Sequence, residues 1–192
     1  EYDKRYHIRD VREDDIGRTI PISDYGLAKY TMNAIARRSD NIYNLRLFGI
    51  FGKYELWEIK FLSNLCCKAA FDLPLTIRKD CRFDFLYIDD LIGIVDHFIN
   101  SAPLYHDYNV CHGKSYLLSE LADMVKSVCG KNLEVSLLSD ELNLDYTASN
   151  GRLKSEVVDW HVTPMESAIE RLYEYYSANK NLIDFDVLRN SR

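Results

Sequence analysis

After a polar opening, the apolar positions of this chain fall into stretches of helical and of strand period. Residues 1–22 are charged and irregular, with one Gly and one Pro, and predict a loop. From Ser23 or Asp24, either of which suits an N-cap, Leu27, Tyr30 or Thr31, Ala34 and Ile35 recur at helical spacing as far as about Ser39. Ile42 to Phe48 is rich in apolar and aromatic residues, is closed by Gly49, and predicts a strand. Tyr54 to Phe71 reads as a helix with Leu56, Ile59, Leu62, Cys66 and Ala69 on one side, ended by Pro74. Leu75 to Ile77 and Phe83 to Ile88 read as strands joined through Arg78-Lys79-Asp80. Asp89 or Asp90 then caps a helix whose Leu91, Ile94, Val95 and Phe98 face inward. A short strand at Tyr108 to Val110, a helix from Ser119 to Val128 stopped at Gly130, a strand from Leu133 to Leu138 and a helix from Pro164 to Tyr176 complete the order. Helix followed by strand at these spacings is half of a βαβ unit, so the fold class is α/β with a parallel sheet.

Composition narrows the class. The chain has 192 residues, 47% of them hydrophobic and 28% charged, a balance that excludes disorder. Its 24 basic and 30 acidic residues leave a net charge of −6, so no basic field favours nucleic acid, and an anionic ligand needs local arginines. The five cysteines and five histidines show no ligand-like spacing, so no metal site is expected; buried free thiols in a reducing cytoplasm are. No run approaches the about 20 apolar residues of a membrane span, and no signal-peptide core opens the chain. The abruptly polar start without methionine reads as the inside of a longer protein.

Candidate chemistry begins at Tyr25-Gly26-Leu27-Ala28-Lys29. On a helix, residues four apart share a face, and a lysine ammonium beside a tyrosine favours the phenolate, which suits a base acting on a hydroxyl. The plainer reading of the same pair is a half-exposed tyrosine beside a surface lysine. Gly49-Ile50-Phe51-Gly52 is a lone Gly-x-x-Gly, and none of the eight glycines builds the G-x-G-x-x-G that opens a dinucleotide-binding helix. Asp89-Asp90 at a helix start reads as capping and dipole stabilisation before it reads as acid–base chemistry. Tyr173, Tyr175 and Tyr176 read as packing or rim, and His112 by itself carries no catalytic reading.

The Tyr-x-x-x-Lys helix is followed by Arg46-Leu47-Phe48-Gly49-Ile50-Phe51-Gly52, by Phe83-Asp84-Phe85-Leu86-Tyr87-Ile88-Asp89-Asp90, and by Tyr108-Asn109-Val110-Cys111-His112-Gly113. In that order these stretches resemble the extended short-chain dehydrogenase/reductase family, specifically its NAD-dependent sugar-nucleotide epimerases and dehydratases, from about residue 1 to 176. The resemblance implies the C-terminal part of a Rossmann-type parallel-sheet domain plus a small mixed α/β substrate-binding domain. Residues 1–52 would be the end of the dinucleotide-binding domain, 53–82 and 113–180 the substrate domain, 83–112 a return to the Rossmann-type sheet, and 181–192 a tail. It further implies Tyr25 as catalytic base with Lys29 holding the phenolate and the nicotinamide ribose. Phe48, Gly49 and Ile50 would lie beside the nicotinamide of NAD or NADP, with Arg82, Asn150 and Arg152 as contacts to a nucleotide-sugar substrate. The serine or threonine partner of the base is expected before residue 1. Two departures stand out: Gly49 replaces an asparagine that meets the substrate diphosphate in many relatives, and Phe83 replaces an arginine. Arg82, one place earlier, substitutes only if the strand bulges. The implied reaction of the whole protein is epimerisation or reduction of a nucleotide sugar, with a 4,6-dehydratase or a non-catalytic assembly module as alternatives. A homodimer through the Tyr25–Ser39 helix is also implied, with Met32, Ile35 and Ala36 serving either that face or the chain's own core.

Overall fold

The computed structural model describes residues 2–3, 5–158 and 160–191. In chain order its elements are β1 (Ile8–Val11), α1 (Asp24–Ala36), β2 (Asn44–Leu47), β3 (Gly49–Phe51), α2 (Phe61–Ala70), β4 (Leu75–Ile77) and β5 (Arg82–Tyr87). There follow α3 (Ile88–Asn100), β6 (Asp107–Val110), β7 (Ser115–Leu117), α4 (Leu118–Cys129), β8 (Val135–Leu137), β9 (Tyr146–Ala148), α5 (Gly151–Glu156), α6 (Met165–Ala178) and α7 (Phe185–Asn190). The fold is mixed α/β with predominantly parallel pairing. β5 is the hub: it pairs in parallel with β3 and with β9, and antiparallel with β7, while β9 carries β1 on its far side. β2 pairs in parallel with β6, and β4 with β8.

Two apolar clusters form. The larger packs α2, α4, α6 and α7 against β3, β4 and β5, with Leu62, Leu65, Leu121, Val125, Ile169 and Leu172 essentially inaccessible to solvent. The smaller joins Leu86 and Ile94 to Tyr108, Val110 and Leu153. All five cysteines are free, and four of them are buried. No described helix is long and apolar enough to cross a membrane.

Several local expectations need correction. The supposed loop 1–22 contains β1 and a 3-10 turn at Glu13–Asp15; β1 carries the charged Arg9 and Asp10 and is a strand only because β9 lies beside it. The strand read over 42–48 is divided. β2 runs on β6 as far as Leu47, the chain turns at Phe48, and β3 continues on β5. The helix read from Tyr54 starts only at Phe61. Tyr54 stands at φ +67°, outside the helical region, and residues 53–60 make one isolated turn that leaves Leu56 and Ile59 exposed. Neither Asp89 nor Asp90 caps α3, whose N-cap is Tyr87; Asp90 instead accepts hydrogen bonds from the backbone N–H and the hydroxyl of Thr163. Val95 is exposed, unlike Ile94. Within the expected tail, α7 forms and buries Leu188 in the larger cluster.

Candidate active site

Ser23 caps α1, its Oγ accepting a hydrogen bond from the Gly26 N–H at 3.1 Å. Gly26 is required sterically, since a Cβ there would lie 2.8 Å from the Pro21 Cβ and 2.9 Å from the Ser23 Oγ. This tight start fixes where the helix begins. Tyr25 and Lys29 line one cavity of about 750 Å³, with the lysine Nζ 5.7 Å from the centre of the tyrosine ring. Tyr25 is 75% exposed, so its hydroxyl is open to a ligand. Phe48 joins the cavity from the turn between β2 and β3, Phe83 from β5 and Tyr146 from β9. Asp3 and Arg5 meet at its edge in a 2.6 Å ion pair.

Lys60, directly before α2, lines this cavity and also a second one of about 650 Å³. The second is bordered by Asn64, Thr76, Arg78, Lys79 and Asn143. No side chain caps α2, but carboxylates are already at its start: Glu55 accepts from the Ser63 hydroxyl of the first turn and lies near Lys60, and Glu58 lines the second cavity.

The structure thus brings Tyr25, Lys29 and Phe48 together and leaves the other expected site residues off this cavity. Gly49 is buried beneath it, where a Cβ would lie 2.4 Å from the Asp84 carbonyl oxygen. Gly52 is cramped in the same way by Ile88, so the Gly-x-x-Gly pair serves close packing of the sheet. Ile50 packs against the smaller apolar cluster. β5 runs without a bulge at its start, so Arg82 projects away from the face that carries Phe83; its guanidinium pairs with Glu120, at 4.0 Å, and its backbone N–H donates to Asp145 at 2.9 Å. The Asn150 amide donates to the carbonyls of Cys111 and His112 and thereby braces the turn at Gly113. Arg152 is drawn to acidic partners, donating to the Asp107 carboxylate at 3.0 Å and to Asp14 at 3.0 Å while stacking 4.4 Å from the Tyr105 ring.

Asp107 gathers three arginines. Besides Arg152 it pairs with Arg37, at the end of α1, and with the buried Arg46 of β2, which also donates to the Asn109 side chain. Beside Phe83, the buried Asp84 accepts from the N–H groups of His112 and Gly113 at 2.7 and 2.9 Å; burial nevertheless pushes its carboxyl up to about 6. Lys60 and Tyr146 escape a reading of the sequence. One precedes a helix without a capping signal, and the other lies in a three-residue strand.

The arrangement fits the nicotinamide end of a dinucleotide, with a tyrosine, a lysine and an aromatic strand end on one cavity. For the phosphate end the sequence supplies no glycine fingerprint.

Comparison with known proteins bears on the fold and the family. The chain superposes on UDP-glucuronic acid 4-epimerase of Bacillus cereus, solved with UDP-glucuronic acid and NAD, with a TM-score of 0.75 at 22% identity, covering 93% of this chain and 58% of that one. For dTDP-glucose 4,6-dehydratase of Bacillus anthracis in complex with NAD the TM-score is 0.76 at 18% identity, covering 90% and 57%. For RMD of Pseudomonas aeruginosa complexed with NADPH it is 0.72 at 15% identity, covering 92% and 64%. At such identities the likeness establishes the fold, Rossmann-like α/β, and the chain spans less than two thirds of each of these proteins. No curated protein matches it. The family model described as "NAD dependent epimerase/dehydratase family" matches residues 1–111, more than half of the chain. The chain therefore belongs to the NAD-dependent epimerase/dehydratase family.

Proposed function

We propose that this chain is the substrate-facing part of an NAD- or NADP-dependent enzyme that epimerises or reduces a nucleotide sugar, with Tyr25 as its base. The observation that carries the reading is the convergence of Tyr25, Lys29 and Phe48 on one cavity, which shares Lys60 with a second cavity bordered by Glu58, Arg78 and Lys79. An elongated anionic substrate suits that shape, with its sugar at Tyr25, its diphosphate near Lys60 and its base beyond. Tyr25 takes the proton of a sugar hydroxyl, with the Lys29 ammonium beside its ring. A bound nicotinamide supplies the hydride acceptor at the same carbon. The exposed Leu27, Met32 and Ile35 of α1 support a homodimer through this helix; Ala36 is buried and lies off that face. The free thiols support a reducing, cytoplasmic setting.

Two readings compete. A 4,6-dehydratase uses the same base and differs in further acids. A non-catalytic assembly module would keep the same core without binding cofactor. The tests are binding of NADH to this chain and to a longer native form, read by cofactor fluorescence, and turnover of Tyr25→Phe in the longer form. Turnover should be abolished while cofactor binding and folding are kept, because only an exposed hydroxyl is removed. Near-normal turnover would refute the base. A longer form that binds neither NADH nor, tested in the same way, NADPH would refute the enzyme, whereas a fluorescence response from this chain alone would refute the non-catalytic reading.

A further inference from the structure

The second cavity has a polar wall whose hydrogen-bond polarity is fixed from behind. Asn64 and Thr76 both border that cavity. Lys68, one turn after Asn64 on α2, is 3% exposed and borders neither cavity. Its Nζ donates to the Thr76 Oγ1 at 2.9 Å and to the Ser191 carbonyl oxygen at 2.9 Å. An ammonium is a donor only, so the Thr76 hydroxyl accepts here and keeps its own proton for another acceptor. Polarised by the ammonium, it is also the stronger donor. Ser191 follows α7, which Leu188 anchors in the larger core. The Ser191 Oγ donates its single proton to the Leu188 carbonyl at 2.7 Å, so toward Asn64 it can only accept. The Asn64 Nδ2 makes that bond at 2.8 Å, which turns the amide oxygen the other way.

Asparagine and threonine can each donate or accept, and left free they would adapt to many ligands. Held as they are, Thr76 offers a proton and Asn64 an oxygen. A phosphate carries acceptors alone and is opposed by the Asn64 oxygen. The cations on this cavity are met by carboxylates, Glu58 on the lining and Glu141 paired with Lys79. The edge of a nucleobase carries a donor and an acceptor side by side and answers both groups. We propose that Lys68 and Ser191 are positioning residues that set Thr76 as donor and Asn64 as acceptor, so that the second cavity receives the base of the nucleotide. The inference rests on the nucleotide-sugar reading above. Ser191 lies beyond residues 1–111, so this support is no part of what the family model matches.

The test is calorimetric titration of the 192-residue chain with UDP, dTDP, GDP and ADP as separate probes, and with inorganic pyrophosphate, which has no base. For the nucleotide that binds most tightly, Lys68→Met and Thr76→Val should each weaken binding roughly three- to tenfold, about one hydrogen bond. The double variant should bind no more weakly than either single one, because both remove the same bond. Thr76→Ser keeps the hydroxyl and should keep the affinity, which separates lost polarity from a damaged fold. Ser191→Ala frees the Asn64 amide and should weaken the nucleotide about threefold. Pyrophosphate should respond to none of these substitutions. Unchanged nucleotide affinity in Lys68→Met, whatever its melting temperature, would make Lys68 purely structural and overturn the proposal while the nucleotide-sugar reading stands. Pyrophosphate weakened in parallel with the nucleotide would assign the cavity to phosphate and overturn it likewise. A parent chain that binds none of the four nucleotides would overturn the reading and the proposal together.

Discussion

Gly49→Ala separates two explanations of one glycine. If residue 49 is glycine because a cofactor approaches its backbone, alanine should cost binding and spare the fold. The structure gives the other answer. The added methyl would sit 2.4 Å from the Asp84 carbonyl oxygen, 2.8 Å from Phe83 and 2.9 Å from Phe85. The first of these contacts is with the backbone of the paired strand β5, which cannot rotate aside as a side chain tip can, and Gly49 and Phe85 are register partners. Relief requires β3 and β5 to separate by several tenths of an ångström, at the point where both enter the larger core. Overpacking of this kind costs about 1–3 kcal/mol, and a backbone clash belongs at the upper end. For a domain of this size about 3 kcal/mol lowers the melting temperature by roughly 6–12 °C. Gly93→Ala is the internal control. Nothing lies within 4 Å of a Cβ at that position in mid-α3, so alanine should stabilise by up to about 1 kcal/mol through helix propensity. Urea unfolding of the three proteins, followed by circular dichroism, decides the matter. A Gly49→Ala midpoint within error of the parent would refute the packing account and return residue 49 to the cofactor.

Three further outcomes follow from buried charges. Asp84 is raised from an ordinary 3.8 to about 6 by burial, so folding favours its protonated form. Its contribution is complete below about pH 4 and lost as pH rises through 6, a swing of roughly 3 kcal/mol. Asp84→Asn should therefore flatten the fall in urea midpoint between pH 4.5 and 7.5, and an unchanged slope would assign that fall to other groups. Asp107→Asn leaves the Arg46 side chain, 3% exposed, without its carboxylate, and should destabilise by about 3–5 kcal/mol on chemical unfolding. Arg152→Met removes charged hydrogen bonds to Asp107 and Asp14 and should cost about 1–3 kcal/mol with nucleotide-sugar affinity unchanged; a selective loss of affinity would restore Arg152 to the substrate.

What could be read in advance followed from how local its cause is. α1 is legible because its cap, its Tyr-Lys spacing and its apolar positions all act within one or two turns; it begins at the Ser23 cap, as expected, and ends at Ala36, short of Ser39. α4 is legible for the same reason, down to the left-handed Gly130 that ends it. The false helical start at Tyr54 came from a period that residues 54–60 share with α2, and a single positive φ cancels it. β1 was illegible because it is a strand only beside β9, more than 130 residues away, and β9 because its partners β1 and β5 are both distant in sequence; neither alternates strongly enough to declare itself. The site divides along the same line. Tyr25 and Lys29 are four apart on one helix, whereas Phe83 and Tyr146 meet only through strand pairing. The two departures noted at 49 and 83 acquire a common cause that no single position could reveal, since the space taken by the Phe83 ring is the space a side chain at 49 would need.

The orientation of the proposed base depends on charge more than on apolar packing. α1 buries only Gly26, Asn33 and Ala36, and its larger apolar side chains Leu27, Met32 and Ile35 point outward. Apolar contact is non-directional, and so little of it leaves the rotation of the helix weakly determined. Directional bonds supply what is missing. Asn33 accepts from the Asn44 side chain at 2.8 Å, and Arg37 donates to Asp107 at 2.7 Å and to the Glu13 carbonyl at 2.8 Å. The same Asp107 holds Arg46, two residues before Phe48 on β2. The helix that carries Tyr25 and the strand that leads to Phe48 are therefore referenced to one buried carboxylate. Because that carboxylate lies on β6, away from the cavity lining, Asp107→Asn acts on the placing of Tyr25 against Phe48 with both residues kept.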